Sequence, residues 1–231
     1  MQMKKNRFIG DVIIMMSVLL IAIAAGIFFR VSVGDCGLAQ IDHVDDIKAN
    51  MVTLDFAIEK DEHFGESGIK KIVDSLDFSP IIVIAKSTGN LVQADGSYGQ
   101  EIIISEIIRG EEYVSKEKKC WIYQSFGMQE VNGKILFMNS NLNIMNPEYE
   151  YLVFMEASPL NIYQEEQVYL LSSEILGYIR ISEPKTKSLE KESYHKVDFV
   201  ELRDYEFFSA SENVTEQLNG ARTAILYKYI Y

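Results

Sequence analysis

Residues that carry chemistry are scarce in this chain. Its 231 residues include two cysteines, three histidines and one tryptophan. None of them falls in a spacing that assembles a familiar site. There is no Cys-x-x-Cys and no His-x-x-x-His, so neither a structural zinc site nor a helical two-histidine metal site is expected. His43-Val44-Asp45-Asp46 and Asp61-Glu62-His63 offer ligand-type side chains, but they read as solvated acidic loops. Thr88–Gly99 holds a single Asp-Gly and lacks the Asp ladder of a calcium loop. Gly65-Glu66-Ser67-Gly68 lacks the Lys-Ser/Thr that would open a phosphate-binding helix. Ser-x-x-Lys occurs at Ser67/Lys70, Ser182/Lys185 and Ser193/Lys196, with no Ser-Asp-Asn or Lys-Thr-Gly partner for any of them. The expectation is no cofactor and no metal.

Positive charge is the second shortage. Lys and Arg number 22 against 34 Asp and Glu, a formal net charge of −12. The first 30 residues carry Lys4, Lys5, Arg7 and Arg30 against one acid, Asp11, so the rest is more acidic than the whole. Bulk electrostatics of that sign exclude nucleic acid as a partner. Internal repeats and low-complexity linkers are also missing. With hydrophobic residues at 48% and aromatics at 11%, the chain is globular and long enough for a proper core.

Long hydrophobic runs are absent with one exception. Val12–Phe29 is unbroken and apolar, flanked by Lys4, Lys5 and Arg7 before it and Arg30 after it. A helix crossing a bilayer needs roughly 18–20 such residues. The basic flank places the N-terminus in the cytoplasm by the positive-inside rule. The expected organisation is a cytoplasmic tail at 1–7, a transmembrane signal anchor at 8–30, a juxtamembrane connector at 31–50, and an extracytoplasmic domain at 51–231. The expected location is the cell membrane, single-pass, with membrane lipid as a partner through residues 8–30. A cleaved signal peptide is the rival reading, since Ala22-Ile23-Ala24 has the small-x-small pattern of a cleavage site. The apolar run continues past it to Phe29, which favours an uncleaved anchor.

Beyond the anchor the pattern is that of strands. Gly65–Asp77 places Ile69, Ile72, Val73 and Leu76 at helical spacing, predicting a short amphipathic helix. Met51–Lys60, Ile81–Ser87, Gln100–Arg109, Lys119–Ser125, Gly133–Met138, Glu150–Glu156, Gln167–Ser172, Gly177–Ser182 and Lys196–Leu202 are short, β-branched or aromatic, and separated by Gly, Asn, Pro and Ser. Thr88–Gly99 reads as a polar turn. Nothing between the segments is long enough for repeated helical crossovers, so antiparallel pairing is expected. Asn213–Ala224 is a candidate final helix. The fold class is mainly β, a small antiparallel barrel or sandwich with one or two short helices. Tyr149, Tyr151, Tyr163, Tyr169 and Tyr178 fall in or beside strands. They suit either a ligand groove on a barrel face or ordinary strand packing, and packing is the simpler reading.

The stretch from residue 79 to 182 resembles OB-like β-barrel domains of uncharacterised exported proteins from Gram-positive bacteria. The residues that carry the resemblance are Ser79-Pro80-Ile81-Ile82-Val83-Ile84-Ala85-Lys86, then IISEIIRG at 103–110, Cys120-Trp121-Ile122-Tyr123, and Glu150-Tyr151-Leu152-Val153-Phe154-Met155. Pro147-Glu148 stands where such domains usually have a glycine. The resemblance implies no catalytic residues.

The functional expectation is a membrane-anchored binding or scaffolding protein, not an enzyme, whose partner is an unknown protein or small ligand. One alternative is a sortase-like cysteine transpeptidase built on Cys120 and His63, where a thiolate beside an imidazolium would attack a peptide carbonyl. Lys118-Lys119-Cys120-Trp121 lacks the Thr-rich approach of that family, and the first arginine after Cys120 is Arg180. A further alternative is an accessory subunit of a membrane complex. Cys36 and Cys120 form an even pair in an oxidising compartment, and a disulfide between them would close a loop of about 85 residues, worth about 4 kcal/mol in the chain-entropy model.

Overall fold

The structure is a computed structural model. It describes residues 41–49, 51–55, 66–94, 97–124, 127–131, 134–138, 142–158, 167–183, 185–188, 199–209 and 212–231. The chain divides into two compact units, Met1–Leu38 and Ala39–Tyr231, and all described residues belong to the second. No helix among them is long and apolar enough to cross a membrane. The run Val12–Phe29 lies outside the described residues, as do Cys36, His63 and Tyr163.

Strand β1 spans Met51–Asp55 and helix α1 spans Glu66–Leu76. Two long strands follow, β2 (Ile81–Ala94) and β3 (Ser97–Arg109), then β4 (Lys119–Gln124) and the hairpin β5 (Gly127–Val131) and β6 (Lys134–Met138). After β7 (Glu150–Ala157) come β8 (Val168–Leu171), β9 (Tyr178–Arg180) and β10 (Thr186–Ser188). A helical turn α2 (Phe199–Leu202), strand β11 (Phe207–Ser209) and helix α3 (Glu212–Tyr229) complete the chain.

Five strands close a barrel in the order β2-β3-β4-β8-β7, with β7 returning to β2 through six register pairs from Ile81↔Met155 to Lys86↔Glu150. Strict antiparallel alternation around a closed ring needs an even number of strands. A five-stranded ring must contain a parallel pair, and here it is β4–β8, with Trp121↔Val168 and Tyr123↔Leu170. The expected all-antiparallel pairing is corrected by this parity, and also by the parallel pairs β1–β6 and β10–β11. Between barrel and sandwich, the ring closure decides for the barrel. Strand β7 hands its second edge from β9 to β8 at Phe154. Its N–H donates to Gly177 O (2.8 Å), and its C=O accepts from Ser172 N (3.0 Å).

Four other expectations are corrected. The polar stretch Thr88–Gly99 does not end β2; Ala94 still pairs with Ser97, and the ladder only shifts register between Ser87 and Leu91. Gly89 absorbs the shift, with φ at +89° in the region that favours glycine. A Cβ there would stand 2.5 Å from Nε2 of His43. Residues 41–49, read as connector, run beside this bulge. Val44 N donates to Gly89 O and Leu91 N to Asp42 O, each at 2.8 Å, and Ile41, Val44 and Ile47 are buried. The segment Lys196–Leu202 is not a strand over its described part. Phe199–Leu202 is helical, and its end is held by Asn143, whose Nδ2 donates to the carbonyls of Leu202 and Tyr205 at 2.8 Å each. Finally, α3 runs past Ala224 to Tyr229.

The core explains why β7 is an unbroken apolar run. Tyr151 to Met155 are all buried, because the barrel interior takes one face and helices take the other. Phe154 meets Tyr229 of α3 edge to face at 5.4 Å. Leu218, Ile225 and Leu226 of α3 and Ile69 and Leu76 of α1 join the same core. The end of α1 is locked to α3 by Asp77. Its carboxylate pairs with Lys228 and accepts from the Tyr229 hydroxyl (2.7 Å), and its carbonyl accepts from Arg109 Nη1 (2.6 Å).

Candidate functional site

The alternation in K-C-W-I-Y-Q sets the outer face of the barrel. In β4 the buried Cys120, Ile122 and Gln124 alternate with exposed Lys119 and half-buried Trp121 and Tyr123. Register pairs Gly99↔Tyr123, Glu101↔Trp121 and Ile103↔Lys119 put one mixed surface across β3 and β4. Gly99 makes room for it: a Cβ there would come within 3.0 Å of both the Tyr123 ring and Val92. Ile103 is exposed beside these aromatics.

Glu101 organises the middle of this face. Its carboxylate accepts from Thr88 Oγ1 (2.7 Å), Asn90 Nδ2 (2.9 Å) and Lys119 Nζ (3.0 Å). Burial works against its ionised form. The hydrogen bonds from Thr88, Lys119 and Asn90 outweigh burial and hold the carboxyl below its usual range. A fixed negative charge therefore sits beside two aromatic rings.

A second polar assembly lies where β9, β11, the 142–146 segment and α3 meet. Glu206 is buried, accepts from Arg180 N (2.6 Å) and faces Arg222 Nε at 3.3 Å. Arg222 also donates through Nη2 to the carbonyls of Arg180 (2.8 Å) and Ser182 (2.5 Å). The Arg180 guanidinium stacks on Tyr149, 3.4 Å from the ring centroid, and donates to Ser182 Oγ (2.7 Å). Burial pushes the Glu206 carboxyl up to about 7 in spite of the two guanidinium groups. Beside this cluster is a crevice of about 10 Å³, lined by Tyr149, Arg180, Asp204 and Glu206 among others. That is room for about one water beside a buried polar junction.

A neutral network adjoins it. Gln100 Nε2 donates to Gln124 Oε1 and to the Tyr178 hydroxyl, each at 3.3 Å, and Gln100 Oε1 accepts from Met145 N (2.8 Å). The Tyr178 hydroxyl donates to Asn143 O, and the Tyr151 hydroxyl accepts from Asn146 N (2.9 Å). Every member has a partner, as a polar core requires. These contacts tie residues 142–146 to the barrel interior.

The residues singled out in the sequence are distributed as follows. Cys120 is a free thiol, 2% exposed, facing the barrel interior, and burial pushes it up to about 12. A thiol in that setting is not a thiolate at neutral pH. Its suggested partners, His63 and Cys36, lie outside the described residues. Tyr151, Tyr169 and Tyr178 are buried and Tyr149 carries Arg180, so these four pack; Tyr149, Tyr151 and Tyr178 border only the one-water crevice beside Glu206. His43 Nδ1 accepts from Asp45 N (3.1 Å), while the Asp45 carboxylate pairs with Arg203 (2.8 Å). No group of three His, Cys, Asp or Glu is placed to hold a metal among the described residues. Ser182 and Lys185 form no dyad: Ser182 accepts from Arg180, and Lys185 pairs with Asp204 at 3.6 Å.

Sequence reading missed the Glu206–Arg222–Arg180 cluster, since its members are far apart in the chain and none sits in a motif. It also passed over the outward set Trp121 and Tyr123, whose signal was their place as every second residue of β4. No protein-family model matches this chain, and no curated protein matches it in sequence.

Proposed function

We propose that this chain is a single-pass, membrane-anchored extracytoplasmic binding or scaffolding protein with an OB-like domain that presents the β3–β4 face to its partner. The observation that carries the reading is the outer surface of the barrel, with Tyr123 seated over Gly99, Trp121 opposite Glu101, and Ile103 opposite Lys119. Aromatic rings held on a rigid sheet contribute contact area at low entropic cost. The strand order β2-β3-β4-β8-β7, with its parallel β4–β8 pair, supports the OB-like description, in which that sheet face is the usual binding surface. The apolar run Val12–Phe29 and its basic flank support the anchor. The buried, protonated Cys120 weighs against the thiol-enzyme alternative.

The test is site-specific photocrosslinking in the source cells. A crosslinking residue replaces Tyr123 in the full chain, and a control replaces exposed Glu216 on α3. A discrete adduct formed from position 123 and absent from position 216 is expected. Equal or absent adducts at both positions would refute the choice of face. Labelling of a cysteine introduced at Glu216 by an impermeant maleimide on intact cells tests the topology, and protection there would refute it.

A further inference from the structure

We propose that the pocket at the C-terminal end of α3 binds a quaternary ammonium group. The proposal concerns a surface separate from the β3–β4 face and does not depend on that face having a partner. The pocket has a volume of about 200 Å³. That is below the roughly 300 Å³ of the smallest drug-sized sites, so it suits a compact headgroup. Ile181 and Leu226 supply apolar lining, and Tyr227 and Tyr231 supply aromatic walls. These two tyrosines are 70% and 78% exposed, with ring centroids 5.9 Å apart and planes at 66°. Two large rings left open to solvent and set at an angle form two sides of an aromatic cage, the arrangement that takes alkylammonium cations.

Four further observations bear on the sign of the charge. Glu183 lines the pocket. Arg222 also lines it, but its guanidinium is already committed to Glu206 and to the carbonyls of Arg180 and Ser182. The pocket lies beside the last turn of an 18-residue helix, the negative end of its macrodipole. Lys228, the basic residue of that turn, is engaged with Asp77. A soft, weakly hydrated cation meets aromatic faces and a carboxylate at the negative end of a helix there, while a strongly hydrated ammonium would have to shed more water for the same contacts.

The experiment is a titration of the full chain in maltoside micelles, read by NMR of ring-labelled tyrosine. The probe is choline, and the control is 3,3-dimethylbutan-1-ol, which has the same shape without the charge. Choline is expected to shift the Tyr227 and Tyr231 signals saturably in the millimolar range, and the neutral alcohol is not. Tyr227→Ala and Glu183→Gln are each expected to weaken choline binding about five- to tenfold, while Tyr227→Phe, which keeps the ring face, retains it. Both residues are at the surface, so the variants fold. Equal binding of the alcohol, no saturable choline response, or unchanged affinity in both Tyr227→Ala and Glu183→Gln would overturn the proposal. Repeating the titration in phosphatidylcholine and phosphatidylglycerol nanodiscs assigns the source. A choline response lost only in phosphatidylcholine means that the lipid headgroup fills the site, and a response kept in both means a free cation.

Discussion

Replacing Glu206 by glutamine separates two forces that meet at the same carboxylate. Burial disfavours its ionised form, whereas Arg222 at 3.3 Å and the Arg180 N–H at 2.6 Å favour it. Burial is the larger effect, and the group titrates at about 7 in the folded protein against an ordinary 4.5. That difference corresponds to about 3 kcal/mol. The sign follows from proton binding. The folded state holds the proton more tightly, so stability from this group is fully present below pH 4.5 and is lost as pH rises through 7. Glutamine keeps an oxygen for the Arg180 N–H and cannot ionise. Urea unfolding of wild type and Glu206→Gln from pH 5 to pH 8.5, followed by the fluorescence of the lone Trp121, reads the difference directly. The two proteins are expected to be close in stability at pH 5, with the variant ahead by about 3 kcal/mol at pH 8.5. A variant less stable than wild type at pH 8.5, by an amount that does not change with pH, would refute the reasoning. It would mean that the guanidinium groups keep Glu206 ionised throughout, and that removing it strands a buried cation.

Three other outcomes follow from the same geometry. Gly89→Ala should lower stability by about 1–3 kcal/mol, measured by the urea midpoint, because φ is +89° and the new methyl meets the His43 ring; adding His43→Ala should relieve the clash but leave the backbone cost. Native Cys120 should resist iodoacetamide at pH 8 and react only on unfolding, since its thiol titrates near 12; rapid native labelling, scored by mass spectrometry, would place it at the surface. Glu101→Gln should flatten the acid limb of the stability curve. The wild-type carboxyl titrates below its ordinary 4.5, so its contribution is present above that value and lost as pH falls through the lower folded one, and an unchanged acid limb would contradict the Thr88–Asn90–Lys119 cradle.

Strand identity was legible wherever local composition decided it. Ile81–Ser87, Lys119–Gln124 and Glu150–Glu156 are dense in β-branched and aromatic residues, and each is a barrel strand. Helix α1 was legible because Ile69, Ile72, Val73 and Leu76 share one face. What escaped depended on partners distant in sequence. Thr88–Asn90 looks like a turn, yet stays in the ladder because Gly89 bulges and residues 42–44 lace onto it. Phe199–Leu202 has strand composition but turns helical where the Asn143 side chain takes its terminal carbonyls. The hairpin β5 was missed because Gly127–Val131 has little β-propensity of its own. At the outer face, the alternation in β4 carried the signal for Trp121 and Tyr123, although the reading rested on other tyrosines, and nothing local announced that Thr88, Asn90 and Lys119 would converge on Glu101.

An odd-stranded ring has a consequence for the order in which the domain comes into being. Strand β4 is complete at Gln124, but its second neighbour, β8, begins only at Val168. As the chain emerges from its N-terminal end, β7 can cover the β2 edge of the β2-β3-β4 sheet once Ala157 has appeared, but the β4 edge stands open until more than forty residues beyond Gln124 have followed. Strand β8 then joins β4 and β7 together, so four residues seal the ring. A late, small and non-local element governs whether the whole domain is protected, which makes folding slow to start and all-or-none once begun. Truncations or lesions near Val168–Leu171 would therefore act on the lifetime of the nascent protein far more than their share of the core suggests.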